Sequence, residues 1–144
     1  MDEKKIEEVE LISYRIQDTA MALMASFFEK YKISYIELRV IRICDSHDKM
    51  TLNKLSEVLN KAAANLSVVV TKLSENKMLK KKISKVDRRI TYIEITDKGR
   101  KISKESYEHF FDLVNDDLGD ELDELIQSLK KYDEKLSSYM KLKI

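Results

Sequence analysis

The chain has 144 residues, 43% of them hydrophobic and 37% charged, which suits one domain with a buried core and an ionised surface. It contains no proline and two glycines, so a mainly helical fold is expected and a glycine-rich phosphate-binding loop is excluded. One cysteine and two histidines exclude an internal disulfide and argue against a metal site. No apolar run is typical of a signal peptide or a membrane span, so a cytoplasmic protein is expected.

The net charge of +1 conceals an uneven distribution along the chain. Residues 77–101 carry ten basic and three acidic side chains, whereas residues 102–144 carry six and eleven. A concentrated basic segment is the pattern expected where a protein contacts nucleic-acid phosphates. A solvated lysine-rich loop is the alternative, and the position of the segment in the fold distinguishes the two.

The first predicted element is a helix over residues 6–28, because apolar side chains recur there every three or four positions. A second helix is predicted from Ser34 to about His47. Ser34 is its N-cap, and Glu37 three residues later completes a capping-box pattern. The predicted buried side of this helix comprises Ile36, Val40, Ile41 and Cys44.

Two short helices joined by a tight turn are predicted next. Thr51 is a plausible N-cap of the first, which ends at Asn60-Lys61 because asparagine tolerates the left-handed conformation of a tight turn. The second helix extends from about Ala62 to Glu75. This arrangement is typical of a helix-turn-helix.

Two β-prone runs follow at residues 79–83 and 91–95, the second alternating with a period of two. The charged residues 84–89 between them are predicted to form a hairpin tip. A helical pattern resumes at Asp97, and a break at Gly119 separates it from a last amphipathic helix. The order of elements predicts a mainly α fold with a small β-hairpin wing, and the basic segment coincides with that wing.

The wing also carries a motif that links its tip to the start of the next helix. The motif consists of Asp87-Arg88-Arg89, five residues, Ile95-Thr96, two residues and Gly99. With this motif and the helix-turn-helix pattern, the chain resembles the MarR family of bacterial and archaeal regulators over nearly its whole length. The resemblance implies a winged helix-turn-helix with N- and C-terminal dimerisation helices. It also implies that the second helix of the helix-turn-helix enters the major groove of DNA and each wing enters a minor groove.

Under this interpretation residues 1–144 form a single domain. Dimerisation helices are expected at about 6–30 and 100–142, and the winged helix-turn-helix at about 34–99. The expected partners are a second copy of the chain and double-stranded DNA with an A·T-rich pseudo-palindrome. Two-fold symmetry would place the recognition helices about one DNA turn, roughly 34 Å, apart.

The predicted function is that of a sequence-specific DNA-binding transcriptional regulator, acting as a ligand-responsive repressor. The alternative is a dimeric winged-helix interaction protein without specific DNA readout, which the three alanines at 62–64 favour. No cofactor is expected. An enzyme is not expected either, because no catalytic combination of serine, histidine, cysteine or paired carboxylates stands out.

The predicted DNA contacts lie in the recognition helix and the wing. Arg89 is predicted to enter the minor groove, with Asp87 orienting its guanidinium through a bidentate ion pair. Asn65 and Ser67 are candidates for reading base edges, although ordinary polar residues of a helix surface are an equal alternative. Further contacts are predicted for Lys61, Ala63, Lys72, Lys80, Lys81, Lys82, Lys85 and Arg88.

Two further expectations depend on the resemblance. Where the family usually has glycine, this chain has Asn60-Lys61 and Asn76-Lys77, and the two asparagines are expected to adopt the required backbone. An effector pocket for small aromatic or phenolic anions is also implied, with core packing as the alternative role of its residues. The residues proposed to line it are Tyr14, Phe27, Phe28, Tyr35 and Arg39.

Overall fold

The computed structural model describes residues 2–142, and the side chains of all of these except 114–118, 120, 141 and 142. Within that range the fold consists of seven α-helices and three short strands. They are α1 (Glu3–Leu23), α2 (Ala25–Tyr31), α3 (Tyr35–Ser46), β1 (Met50–Thr51), α4 (Leu52–Leu59), α5 (Ala63–Glu75), β2 (Leu79–Ile83), β3 (Thr91–Ile95), α6 (Asp97–Leu118) and α7 (Leu122–Leu142). The mainly α fold with a β-hairpin wing is therefore confirmed. No helix in the described range combines the length and apolar character needed to cross a membrane.

The chain divides into two compact units between Phe110 and Phe111. The first unit contains the helix-turn-helix and the wing, and the second contains α7. A short 3₁₀ turn at Gly119–Glu121 precedes α7, as the predicted break at Gly119 requires. That the chain acts as a single domain stays a prediction.

The single long helix predicted over residues 6–28 is wrong, because the chain forms two helices that meet at Met24. Met24 has φ −90° and ψ −3°, which departs from regular helical geometry although its N–H still bonds to Ala20. Met24 and Phe27 are buried, whereas α1 buries no side chain. The bend thus marks the point where this segment meets the core.

The capping box at the start of α3 is confirmed. The Ser34 hydroxyl accepts a hydrogen bond from the Glu37 N–H at 3.3 Å, and the Glu37 carboxylate accepts one from the Ser34 N–H at 2.7 Å. These bonds satisfy N–H groups that have no partner within the helix. Of the predicted buried side, Val40, Ile41 and Cys44 are buried and Ile36 is partly buried.

One hydrophobic core joins α3, the helix-turn-helix, the sheet and the start of α6. Its fully buried side chains come from every one of these elements. They include Val40, Ile41, Met50, Leu55, Leu66, Val70, Leu73, Leu79, Ile93 and Ile102. The apolar faces of α4 and α5 therefore pack into the same core as the strands of the wing.

The sheet has three antiparallel strands in the order β1-β3-β2, rather than the two of the predicted hairpin. β1 pairs with β3 through Met50 opposite Ile93. A strand of two residues is too short to show alternation in the sequence, so β1 could not be predicted from pattern. It connects the end of α3 to the wing and thereby fixes the start of α4.

The end of α5 corrects the expectation for Asn76. Asn76 has φ −83°, and the left-handed residue is Lys77 with φ 60°. The Met78 N–H bonds to the Leu73 carbonyl at 2.9 Å, and the Lys77 N–H to the Ser74 carbonyl at 3.0 Å. This is a Schellman motif, in which the residue after the C-cap takes the left-handed conformation. At the end of α4 the corresponding expectation is confirmed, since Asn60 is left-handed with φ 50° and ψ 46°.

We expect Lys77→Gly to raise the free energy of unfolding by roughly 0.5–1 kcal/mol, because glycine removes the left-handed strain that a side chain carries. Denaturant unfolding of the purified variant measures this. Lys61→Gly is a matched control, since Lys61 also follows a helix end but has no positive φ. The control should be neutral or destabilising, and an equal gain in both variants would contradict the assignment of strain to Lys77.

Both compact units carry exposed apolar side chains on their helices. On α1, Ile6, Val9, Ile12 and Ile16 are exposed at helical spacing. On the described part of α7 a second such row is exposed, comprising Leu122, Leu125, Ile126, Leu129, Leu136, Tyr139 and Met140. Contiguous apolar surface of this kind marks interaction sites in proteins that are otherwise ionised.

Candidate nucleic-acid interface

The turn between α4 and α5 is closed by backbone and hydroxyl contacts. The Lys61 N–H donates to the Ser56 carbonyl at 3.3 Å, and the Ser56 hydroxyl donates to the Lys61 carbonyl at 2.6 Å. Thr51 caps α4 by accepting a hydrogen bond from the Lys54 N–H, as predicted. The backbone of Lys61 is therefore fixed while its side chain remains exposed.

The recognition helix α5 has one buried and one exposed face. Leu66, Val70 and Leu73 anchor it in the core, whereas Asn65 and Val68 are exposed, Val68 by 71%. Ser67 and Ala63, both predicted to contact DNA, are partly buried. Residues two positions apart lie about 200° apart around a helix, so Asn65 and Ser67 point in different directions. The exposed face offers a mixture of amide and apolar surface.

Lys72 contacts a partner that sequence reasoning missed. Its ammonium lies 2.6 Å from the carboxylate of Glu37, whose side chain is only 5% exposed. The same carboxylate caps α3 through Ser34. A buried carboxylate requires hydrogen bonds and a counterion, and Lys72 supplies the counterion. The predicted phosphate-contacting lysine thus links the recognition helix to α3.

At the wing tip, Asp87 and Arg89 form a bidentate ion pair. Asp87 accepts from Arg89 Nε at 3.1 Å, from Nη2 at 3.0 Å and from the Arg89 backbone N–H at 3.0 Å. The side-chain hydrogen bond from Arg89, followed by the backbone one, lowers the pKa of the Asp87 carboxyl, so the carboxylate stays ionised at neutral pH. Arg89 is nevertheless 90% exposed. Its guanidinium is therefore oriented and still accessible.

Ser84 shapes the rest of the tip, a role that sequence reasoning did not assign. Its hydroxyl accepts from the N–H groups of Val86 and Asp87 at 3.2 Å each, while its own N–H donates to the Ile90 carbonyl at 2.9 Å. A serine at a hairpin tip often accepts hydrogen bonds from backbone N–H groups two or three residues later, and this preference could have indicated the contact. Lys85 and Arg88 extend from the ordered turn as exposed side chains.

The spacing of the wing motif has a physical cause at the base of the wing. The Thr96 hydroxyl donates to the carbonyls of Lys77 and Met78 and accepts from the Gly99 N–H at 3.1 Å. A Cβ atom at Gly99 would lie 2.2 Å from the Met78 carbonyl oxygen and 2.8 Å from Ile95. Only glycine allows α6 to begin this close to the end of α5. The motif therefore couples recognition helix, wing and α6.

The first unit also contains a cavity of about 630 Å³. Of the predicted effector-pocket residues, Phe28, Tyr35 and Arg39 line it. Phe27 does not, because it is buried in the core with its ring 4.8 Å from that of Tyr31. Tyr14 does not either, because it lies on another face of α1, where its hydroxyl donates to Glu10.

Two arginines of α3 that line the cavity are each placed beside a tyrosine. The Arg39 Nη1 group donates to the Tyr35 hydroxyl at 2.9 Å. The Arg42 guanidinium lies 3.5 Å from the centroid of the Tyr107 ring, a cation–π contact. Apolar side chains such as Ile16, Leu38 and Phe110 complete the wall. The cavity combines an apolar surface with two fixed positive charges.

Cys44 is buried, and burial raises the pKa of its thiol to about 12. Because the thiolate is the reactive form, we expect peroxide to leave DNA binding unchanged at a concentration that oxidises an exposed thiol. Cys44→Ala should respond to peroxide as the parent chain does. DNA binding before and after treatment measures this, and peroxide-induced release that disappears in the variant would contradict it.

Residues 36–114, which include the helix-turn-helix, the wing and much of α6, match the family described as "Winged helix DNA-binding domain". The chain is 26% identical over 120 residues to the HTH-type transcriptional regulator MhqR of Bacillus subtilis, covering 81% of this chain and 75% of the relative.

Solved structures share the fold at lower identity. The transcriptional regulator BldR from Sulfolobus solfataricus has a TM-score of 0.75 with 22% identity, covering 92% of this chain and 96% of the other. A MarR variant from E. coli, solved in complex with operator DNA, has a TM-score of 0.73 with 16% identity, covering 89% and 95%. The chain therefore belongs to the winged helix DNA-binding domain family and has the fold of the MarR-type transcriptional regulators.

Proposed function

We propose that the protein is a sequence-specific repressor that binds double-stranded DNA as a homodimer and responds to a small ligand. The observation that carries this proposal is the wing tip, where an exposed Arg89 guanidinium is held by Asp87. A preoriented arginine on a narrow hairpin suits insertion into a minor groove. The relative MhqR is named as a transcriptional regulator, and a MarR variant of the same fold was solved with operator DNA.

The proposed contacts divide between two grooves. Asn65 and Val68 on the exposed face of α5 meet base edges in the major groove, the amide by hydrogen bonding and the valine by contact with thymine methyl groups. Ala63 adds a smaller apolar contact, and Ser67 lies at the edge of this surface. Phosphate contacts are assigned to Lys61, Lys85 and Arg88, while Lys72 primarily neutralises Glu37.

These base and phosphate contacts together predict an A·T-rich pseudo-palindromic operator, bound with an affinity that depends strongly on salt concentration. With few donors on α5, affinity comes mainly from phosphate contacts and specificity from thymine methyls and groove width. The test is to titrate DNA from the protein's own promoter at several salt concentrations and then replace the A·T pairs under the wings with G·C. A flat salt response, or no loss on replacement, would contradict the proposal.

The homodimer is proposed from the exposed apolar rows on α1 and α7, together with the exposed Tyr107, Phe110 and Phe111 of α6. In a two-fold symmetric dimer, these surfaces of one protomer would pack against the same surfaces of its partner. Sedimentation at micromolar concentration should show a dimer. Thermal unfolding should occur at a higher temperature when the protein concentration is raised, because unfolding of an obligate dimer is coupled to its dissociation. A folded monomer under these conditions would rule out an obligate dimer.

The cavity beside Arg39 and Arg42 is the proposed effector site. Two fixed guanidinium groups in an apolar wall fit a small aromatic anion. Titration calorimetry with benzoate, and with neutral benzamide as the matched compound, tests this. Arg42→Gln should abolish benzoate binding, whereas Arg15→Gln, outside this cavity, should not. Equal binding of benzoate and benzamide would argue against an anion site.

A second candidate is a dimeric winged-helix interaction protein without specific DNA readout. The alanines at 62–64 and the exposed Val68 favour it, because none of them can hydrogen-bond to a base edge. The two candidates are distinguished by comparing promoter DNA with random DNA of equal length. Equal affinity for both would support the second candidate.

A further inference from the structure

The three consecutive lysines of β2 point to two different faces of the wing. Successive side chains of a strand alternate between the faces of a sheet. Lys81 is paired with Ile93, whose side chain is buried, so Lys81 lies on the face that packs toward the core. Lys80 and Lys82 lie on the other face. Strand geometry therefore places Lys81 on one face of the wing and its two lysine neighbours on the other.

The two faces differ in electrostatic environment. Glu94 on β3 lies 3.8 Å from the Lys80 ammonium and 3.7 Å from that of Lys82, and so offsets part of their charge. Among the residues that the structure describes, no carboxylate forms an ion pair with Lys81. Its ammonium instead donates to the hydroxyl of Thr71 on α5 at 2.8 Å. The charge of the exposed Lys81 side chain is thus not offset by a carboxylate in the described part of the chain, and its hydrogen bond to Thr71 places it between the recognition helix and the wing.

That position matters for a protein that places a helix in the major groove and a hairpin in the adjacent minor groove. The two grooves are separated by one sugar–phosphate strand, which must pass the junction of helix and hairpin. Thr71 and Lys81 join α5 to β2 at this junction. The Thr71 hydroxyl accepts from Lys81, which leaves its own proton to donate, and an ammonium has three N–H donors.

We propose that Lys81 and Thr71 form a clamp for one phosphate of the strand that runs between the two grooves. Lys81 supplies the charge, and Thr71 supplies a neutral hydrogen bond and holds the ammonium in place. Lys80 and Lys82, bound to Glu94 on the opposite face, contribute much less. This inference rests on the proposed DNA binding and assigns a specific phosphate contact within it.

The matched comparison is Lys81→Met against Lys80→Met and Lys82→Met, which remove the same charge from neighbouring positions of one strand. Log K falls as log salt rises, and each lost phosphate contact makes this slope shallower by about 0.9. A dimer that loses both clamps should therefore have a slope shallower by about 1.8. If the contacts add little at 1 M salt, two contacts at about 0.9 each correspond to roughly a 60-fold loss of affinity at about 0.1 M salt. The two control variants should lose less than half as much slope.

Thr71→Val gives a second, independent readout. It keeps the shape of the side chain but removes the hydroxyl, so affinity should fall several-fold while the salt slope stays the same. Lys81→Arg should retain the slope. Thermal unfolding of each variant separates a loss of contact from a loss of fold, and Thr71→Val still tests the clamp if Lys81→Met is destabilised.

Methylphosphonate substitution identifies the phosphate itself. Neutralising operator phosphates one at a time should reveal a position in each half-site whose substitution weakens binding of the parent protein much more than binding of Lys81→Met, which keeps only the Thr71 hydrogen bond. If the parent protein fails to bind promoter DNA at all, the proposed function and the clamp both fall. If the parent and Lys82→Met bind but Lys81→Met matches Lys82→Met in slope, the clamp alone is wrong.

Discussion

Arg89→Ala is expected to weaken operator binding by about 100-fold, the largest effect of any single substitution in the wing. Loss of a well-oriented arginine contact costs roughly 1–3 kcal/mol, and a dimer loses two of them. The bidentate pair with Asp87 restricts the guanidinium before DNA is met, so little side-chain entropy is lost on binding. Fluorescence anisotropy with a labelled operator measures the loss.

Two controls separate the role of Arg89 from general electrostatics. Lys135→Ala removes one positive charge from α7, in the acidic part of the chain, and should leave affinity nearly unchanged. Asp87→Asn keeps the size of the side chain but removes the charge that orients Arg89, so an intermediate loss is expected. Equal affinities of the parent chain and all three variants would remove the wing from the binding mechanism.

Arg89 should also determine preference for A·T pairs. Narrow A·T-rich minor grooves concentrate negative potential, which favours an inserted guanidinium. In Arg89→Ala, replacing A·T with G·C under the wings should therefore no longer reduce affinity. A parent-like preference retained in the variant would place sequence readout elsewhere, on Asn65 and Val68 of α5.

Local patterns in the sequence were sufficient to predict most of the fold. The capping box at Ser34 and the strand over residues 91–95 depend on neighbouring positions only, and both are seen in the structure. The bend at Met24 was missed because no proline or glycine marks it. The left-handed residue was assigned to Asn76 from residue preference, but the hydrogen bonds of the Schellman motif place it at Lys77.

In the candidate site too, contacts between near neighbours in the sequence could be predicted, whereas contacts made by tertiary packing could not. Asp87 and Arg89 are two residues apart, so their contact could be predicted from a motif. Glu37 and Lys72 meet only because α3 packs against α5, and nothing in the sequence pairs residues 35 positions apart. Phe27 and Phe28 differ by about 100° around one helix, which separates a core residue from a cavity residue. Tertiary packing determines which distant residues meet and whether an aromatic side chain lies in the core or lines the cavity, and periodicity alone does not predict either.

Gly99→Ala is expected to lower the free energy of unfolding by about 3 kcal/mol, because overpacking against rigid backbone is costly. The added Cβ would lie 2.2 Å from the Met78 carbonyl oxygen, and that carbonyl cannot move freely. It accepts hydrogen bonds from both the N–H and the hydroxyl of Thr96. Relief of the clash requires α6 to move away from the end of α5 or the wing to shift.

Gly119→Ala provides the matched control for this substitution. Among the residues whose side chains the structure describes, nothing lies within 4 Å of a Cβ at Gly119, although its φ of 32° carries some strain, so we expect a change within about 1 kcal/mol. Denaturant unfolding of both variants at the same protein concentration measures the difference. Because the clash is relieved by displacing the wing base, residual folded Gly99→Ala should also bind DNA more weakly than Gly119→Ala. Equal stability of the two variants would show that the contact between Gly99 and Met78 does not hold the wing in place.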